Sequence, residues 1–169
     1  MTTAAGSMAG GLGAGFHDPV HDAQGVFRDI LRAMSRPGEV RETAVQIDPP
    51  APLGGAAGPA QADFVLIADG AALPGLDAFR PGTDEAPEGS ATVIVQAADL
   101  AAASPDAAGA WRLSGPGIDG AAGLRVTGLP DGIVEQFSRN ADCFPRGVDL
   151  ILCAGRRLAA LPRTTRVEG

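Results

Sequence analysis

The chain has no lysine: all 13 basic residues among its 169 are arginine. That absence removes Schiff-base catalysis, a covalent pyridoxal phosphate anchor and the lysine-dependent P-loop, each of which requires an ε-amine. A skewed genomic composition, rich in Ala and Gly, accounts for the all-arginine usage equally well, but the chemical exclusion holds either way. Tyrosine is also missing, and the aromatic share is only 4%. Two cysteines, Cys143 and Cys153, are too few for a disulfide scaffold, and no C-x-x-C pair offers a zinc site. With only His17 and His21, a metal site built from this chain alone would be thin. No G-x-S-x-G elbow supports Ser/His/Asp catalysis. A formal charge of −7 argues against nucleic acid as the partner, since phosphate backbones call for clustered positive surface. The opening residues have neither a basic n-region nor an apolar h-region, and no window is long enough to span a membrane. The expectation is a cytoplasmic protein.

What is present suits one compact domain. Apolar residues make up 45% of the chain, enough for a substantial core. Gly and Pro are abundant, 24 and 14 residues, which predicts many turns and short elements. Residues 1–15 read as a flexible tail and 16–169 as a single domain. Asp18 before Pro19, or Asp22, offers a helix N-cap. Val26, Phe27, Ile30, Leu31 and Met34 then fall at helical spacing on one face, and Arg36-Pro37-Gly38 ends the helix. Glu39–Ile47 alternates as a half-buried strand. Asp63–Ala68 and Ala91–Val95 are continuous apolar runs of the kind found in strands covered on both faces. A helical turn fits Leu73–Phe79. Trp111–Leu113 and Leu124–Val126 read as strands flanking a turn, Pro130–Asn140 as a helix and Val148–Leu152 as a last buried strand. The pattern predicts an α/β fold with a sheet covered on at least one face.

Four features bear on chemistry. Ser114–Gly120 is glycine-rich, and backbone amides in such a turn bind anions; a tight turn between strands is the simpler reading, since a strand and not a helix follows. His17 and His21 are four residues apart, as metal ligands on a helix are, but Pro19 lies between them, and capping or surface roles explain them. Cys143 has no neighbouring histidine to activate it, and Cys153 sits in an apolar run. The most suggestive polar residues are Arg146 and the run Arg163, Thr164, Thr165 and Arg166. Arginine's planar fork suits phosphate or carboxylate. Ion pairs with Asp149, Asp142 or Glu168, or contacts with a partner subunit, are the alternative.

Three ordered blocks carry a family resemblance: Gly15–Gly38 (GFHDPVHDAQGVFRDILRAMSRPG), Leu113–Leu129 (LSGPGIDGAAGLRVTGL) and Asn140–Val167 (NADCFPRGVDLILCAGRRLAALPRTTRV). They resemble the PhnH family of the bacterial carbon–phosphorus lyase system. The resemblance implies a mixed sheet flanked by helices, like the large domain of pyridoxal-phosphate-dependent transferases but without that cofactor. It implies a homodimer that joins PhnG, PhnI and PhnJ subunits. That assembly, the ribose 1-methylphosphonate 5-triphosphate synthase, uses MgATP and an alkylphosphonate to form a ribose 1-phosphonate 5-triphosphate, and a radical-SAM subunit later cleaves the C–P bond. No catalytic residue carries over, so the expectation is a non-catalytic scaffold that binds no cofactor or metal itself. The alternative is a subunit that binds nucleotide or phosphonate through the arginine cluster. Family members carry a helical segment where this chain has only the Pro/Gly/Ala-rich residues 49–60; losing a packed helix would uncover apolar surface.

Overall fold

The computed structural model describes residues 18–47 and 58–169. The expected tail at 1–15 lies outside that range, as does most of the shortened 49–60 segment. The first helix, α1 (Pro19–Ser35), starts as its sequence dictates. Asp18 caps it by accepting hydrogen bonds from the Val20 and His21 amides, and Pro19 occupies the first turn, where no amide is missed. Its end is set by Pro37, which disfavours helix in Arg36.

Strands β1 (Arg41–Glu42), β2 (Phe64–Ile67), β3 (Thr92–Gln96), β4 (Asp99–Ala103), β5 (Trp111–Ser114), β6 (Ala122–Thr127), β7 (Asp149–Ala154), β8 (Arg157–Leu161) and β9 (Arg166–Glu168), with helix α2 (Ile133–Asp142), complete the architecture. They form two sheets. The first is mixed, in the order β1-β8-β7-β3-β2, with β2, β3 and β7 parallel and β8 and β1 antiparallel. The second is antiparallel, in the order β4-β6-β5-β9. The α/β expectation with a mixed sheet therefore holds, and the second sheet is an addition to it.

The alternation along each strand separates two apolar clusters. On one face of the mixed sheet, Val93, Val95, Leu150, Leu152 and Leu161 meet Leu100, Trp111, Leu113 and Leu124 of the second sheet and Ile133 and Phe137 of α2. Trp111 and Phe137 meet edge-on, 5.6 Å between ring centres. On the other face, Ile151, Cys153, Leu158 and Ala160 are covered by Ala33, Ile30 and Met34 of α1.

Several expectations are corrected. The strand read at Glu39–Ile47 is only two residues long, because its partner β8 begins at Arg157 and the chain beyond runs past a hairpin turn. Thr43 there is buried, and its hydroxyl bonds the Val45 and Arg156 carbonyls, outside any ladder. The turn expected at Leu73–Phe79 becomes two 3-10 turns, Gly70–Ala72 and Leu76–Ala78. Strand β4 has the sequence DLAAA and lacks the β-branched residues that mark a strand.

The largest correction concerns burial. β2 is not covered on both faces: Phe64 is 68% exposed and Leu66 49%. Nor does the whole apolar stripe of α1 face inward, since Phe27 and Leu31 are exposed, as is Val20. These two surfaces adjoin. Asp29 on one flank of α1 faces Arg41 of β1, 3.7 Å away. Phe27 and Leu31 lie on the opposite flank, beyond Ile30 and Met34, whose cluster includes Ile94 of β3. Leu66 is the register partner of Ile94, so Phe64 and Leu66 line the same face. The exposed apolar residues of β2 thus lie on the face of the mixed sheet that α1 covers.

Candidate functional site

The three sequence blocks meet in space. The Ser114–Gly120 turn joins β5 to β6 and wedges between the end of α1 and the chain before β9. A Cβ on Gly117 (φ +84) would lie 2.9 Å from the Ser35 carbonyl oxygen, and one on Gly115 (φ +132) 2.8 Å from the Thr164 carbonyl oxygen. Glycine is needed at both places, for the left-handed backbone and for the close approach. Gly115 and Gly117 are thus accounted for by packing.

The candidate residues divide. Arg163 is held against Asp149: Nη2 lies 2.6 Å from Oδ2 and Nε 3.3 Å from Oδ1, while Nη1 donates to the Pro87 and Pro145 carbonyls. Both side chains are largely buried, 15% and 14% exposed. Most of this guanidinium's donors are spent on cross-linking the segments before β3, β7 and β9. Arg166 pairs with Asp142 of α2 at 3.1 Å, with both side chains exposed. Thr164 and Thr165 form the turn between β8 and β9, closed by the Thr165 amide donating to the Pro162 carbonyl. Thr165 is buried, and its Oγ1 has no partner among the described residues.

Arg146 stands apart from that group. It lines a cavity of about 550 Å³ between α2 and the segment Leu76–Pro81, at the start of β7. Its Nε lies 3.2 Å from Asp84, and both side chains are about half exposed or more. Arg139 of α2 lines the same cavity, and no carboxylate among the described residues is within ion-pair distance of it. Gln136 and Asn140 hold the walls in place. The Gln136 side-chain oxygen Oε1 accepts a hydrogen bond from the Leu76 amide, and the Asn140 side chain makes two bonds to the backbone of Val148. Residues 136, 139, 140 and 143 follow helical spacing, a polar face on α2 that was readable in the sequence and was missed.

His17 lies outside the described residues. His21 Nδ1 is 3.0 Å from the Asp18 carboxylate on the exposed start of α1, and the His21 amide and ring hold that carboxyl below its ordinary pKa. No metal-binding group of three His, Cys, Asp or Glu occurs among the described residues. Cys143 is exposed on the cavity wall, whereas Cys153 lies under α1 and burial pushes its thiol up to about 12. No described helix is long and apolar enough to cross a membrane.

Comparison with known proteins agrees with the three-block resemblance. The family profile described as bacterial phosphonate metabolism protein (PhnH) matches in two pieces, residues 14–59 and 54–168. The Alpha-D-ribose 1-methylphosphonate 5-triphosphate synthase subunit PhnH of Rhizobium meliloti (strain 1021) is 32% identical over 192 aligned residues, covering 90% of this chain and 94% of that protein. The alignment is longer than this chain, so the relative carries residues that have no counterpart here. The Putative C-P lyase subunit protein HtxG of Stutzerimonas stutzeri is 42% identical over 108 residues, 63% of this chain and 51% of that protein. With its profile match running almost from end to end and a relative of this similarity along nearly its whole length, the chain belongs to the PhnH family of bacterial phosphonate metabolism proteins.

Proposed function

We propose that this chain is a scaffold subunit of a bacterial carbon–phosphorus lyase system. It supports the synthase that forms a ribose 1-phosphonate 5-triphosphate from MgATP and an alkylphosphonate, with PhnG, PhnI and PhnJ subunits as partners. The chain is cytoplasmic, binds no cofactor of its own, and shares its fold with the large domain of pyridoxal-phosphate-dependent transferases. The name of the Rhizobium meliloti relative, a subunit of the alpha-D-ribose 1-methylphosphonate 5-triphosphate synthase, supports this reading.

The observation that carries the structural role is the uncovered apolar face. Val20, Phe27, Leu31, Phe64 and Leu66 are each about half exposed or more, together on the order of 500 Å² of apolar surface, near the upper end of what a monomer leaves open. The occupant is a second copy of this chain. The exposed apolar residues of α1 and β2 lie on one face of the sheet, so a two-fold rotation brings the same apolar patch of each copy together, as an isologous interface requires. Among the described residues, β2 also sits at the edge of its sheet with one side unpaired, an edge that invites another chain.

Light scattering on the eluting peak tests this. The wild-type chain runs at dimer mass, and Phe27→Asp and Phe64→Asp each run as folded monomers. A wild-type monomer, or a dimer that survives both substitutions, refutes the second-copy assignment. Co-expression with PhnG, PhnI and PhnJ tests the subunit reading separately: co-purification is expected, and failure to associate overturns it.

A further inference from the structure

The cavity beside α2 combines charge, apolar walls and size in a way that the scaffold role does not use. Leu76, Phe79, Pro81 and Val148 supply apolar wall, and Arg139 and Arg146 line the same space. The lining holds one carboxylate, Asp77, and Arg146 also pairs with Asp84. An exposed arginine needs no partner; what is unusual here is two of them lining one concave, largely apolar space. Arg146 meets Asp84 through Nε at 3.2 Å, and Arg139 has no hydrogen bond or ion pair among the described residues. Their remaining N–H donors suit the tetrahedral oxyanion of a phosphate or phosphonate, which arginine grips with two parallel bonds. A volume of about 550 Å³ is that of a small-molecule site, where apolar walls hold the body of a ligand and a few polar groups orient it.

We infer that this cavity binds a small organic phosphate or phosphonate. The phosphorus oxyanion sits at Arg139 and Arg146, and the apolar or planar body lies against Leu76, Phe79, Pro81 and Val148. This goes beyond the scaffold reading and does not depend on it.

The cysteines provide the assay. Cys143 is exposed on the cavity wall, and Cys153 is only 2% exposed. Iodoacetamide therefore alkylates Cys143 in the folded chain, while labelling of Cys153 reports unfolding. AMP and phenylphosphonate are the two probes, a phosphate ester and a phosphonate, and adenosine is the uncharged control. A ligand at ~10 times its dissociation constant leaves about one site in ten open, so alkylation of Cys143 slows about tenfold. Protection by AMP alone identifies a phosphate-ester site, by phenylphosphonate alone a phosphonate site, and by both a site for the shared head group. Adenosine gives none. Arg139→Gln and Arg146→Gln, both at exposed positions, abolish the protection while Cys153 stays unlabelled. The inference is overturned if neither probe protects at 10 mM (about the weakest affinity worth naming a site), if adenosine protects as well as AMP, or if protection survives both substitutions. Labelling is read on the isolated chain, so its outcome stands whether or not the partner subunits co-purify.

Discussion

Because lysine and tyrosine are both missing, the alkaline range is almost silent in this protein. Arginine keeps its proton to about pH 12 and beyond. Against that background one side chain stands out, the buried thiol of Cys153. It lies on β7 among Ile151, Leu158, Ala160 and Ala33, under α1, and burial lifts its pKa from 9.0 to about 12. A thiolate there would have no water and no cation to stabilise it.

The sign follows from proton binding. Above pH 9 the unfolded chain has released this proton and the folded chain still holds it, so stability is full below pH 9 and declines as pH rises toward 12. The slope is about 1.4 kcal/mol per pH unit, or roughly 4 kcal/mol across the window. That is a large part of the ~5–15 kcal/mol that holds a typical domain together. Denaturant unfolding at a series of pH values from 8 to 11.5 reads the slope directly. Cys153→Ala lowers stability by a fixed amount through the lost sulfur contacts, but its stability should be flat over the same range. A flat wild-type profile, or an equal slope in the variant, would refute the assignment.

Arg163→Ala should cost about 3 kcal/mol in denaturant unfolding, because it leaves Asp149 largely buried without its cation; a loss below about 1 kcal/mol would show that the pair is not structural. Arg166→Ala, whose pair with Asp142 is exposed, should change stability by less than about 1 kcal/mol. Gly117→Ala should destabilise by more than about 2 kcal/mol, since it combines a positive φ with a backbone contact that cannot yield, and a neutral result would mean that the turn is free to move away from Ser35. Trp111→Ala should cost about 3–5 kcal/mol through the cavity it opens against Phe137.

How much of this was legible depended on which neighbours a residue needs. Helix α1 starts and stops on its own local signals, Asp18, Pro19 and Pro37, so its bounds could be read. Which of its apolar residues face inward could not: Phe27 and Ile30 look alike in a periodic pattern, and only the position of α1 over β7 and β8 separates them. The run DFVLIA is likewise apolar throughout, and nothing in it says that β2 ends up at an uncovered sheet edge. Arg163 and Arg166 read alike as anion-binding forks. Their partners, Asp149 and Asp142, lie 14 and 24 residues away, so sequence could name the pairs but not rank their burial. Arg139 was passed over because its cavity partner, the Leu76–Pro81 segment, is remote in sequence.

The same contrast explains why family membership was legible while the candidate site was not. The blocks that carry the resemblance converge where Gly115 and Gly117 touch Thr164 and Ser35, and such contacts admit few residue types at fixed spacing. They mark the fold strongly and say little about ligands. The cavity is walled by both kinds of sequence. Cys143, Arg146 and Val148 come from the third block, whereas Leu76, Phe79, Pro81, Gln136 and Arg139 lie outside all three. One wall therefore comes from a block that carries the resemblance, and the other does not. If the site serves one particular phosphorus compound, exchanging Leu76–Pro81 with the matching segment of the Rhizobium meliloti subunit should change which probe protects Cys143 and leave the stability of the chain nearly unchanged. Loss of folding in that exchange would instead show that the segment belongs to the core, where Leu76 and Phe79 already have a place.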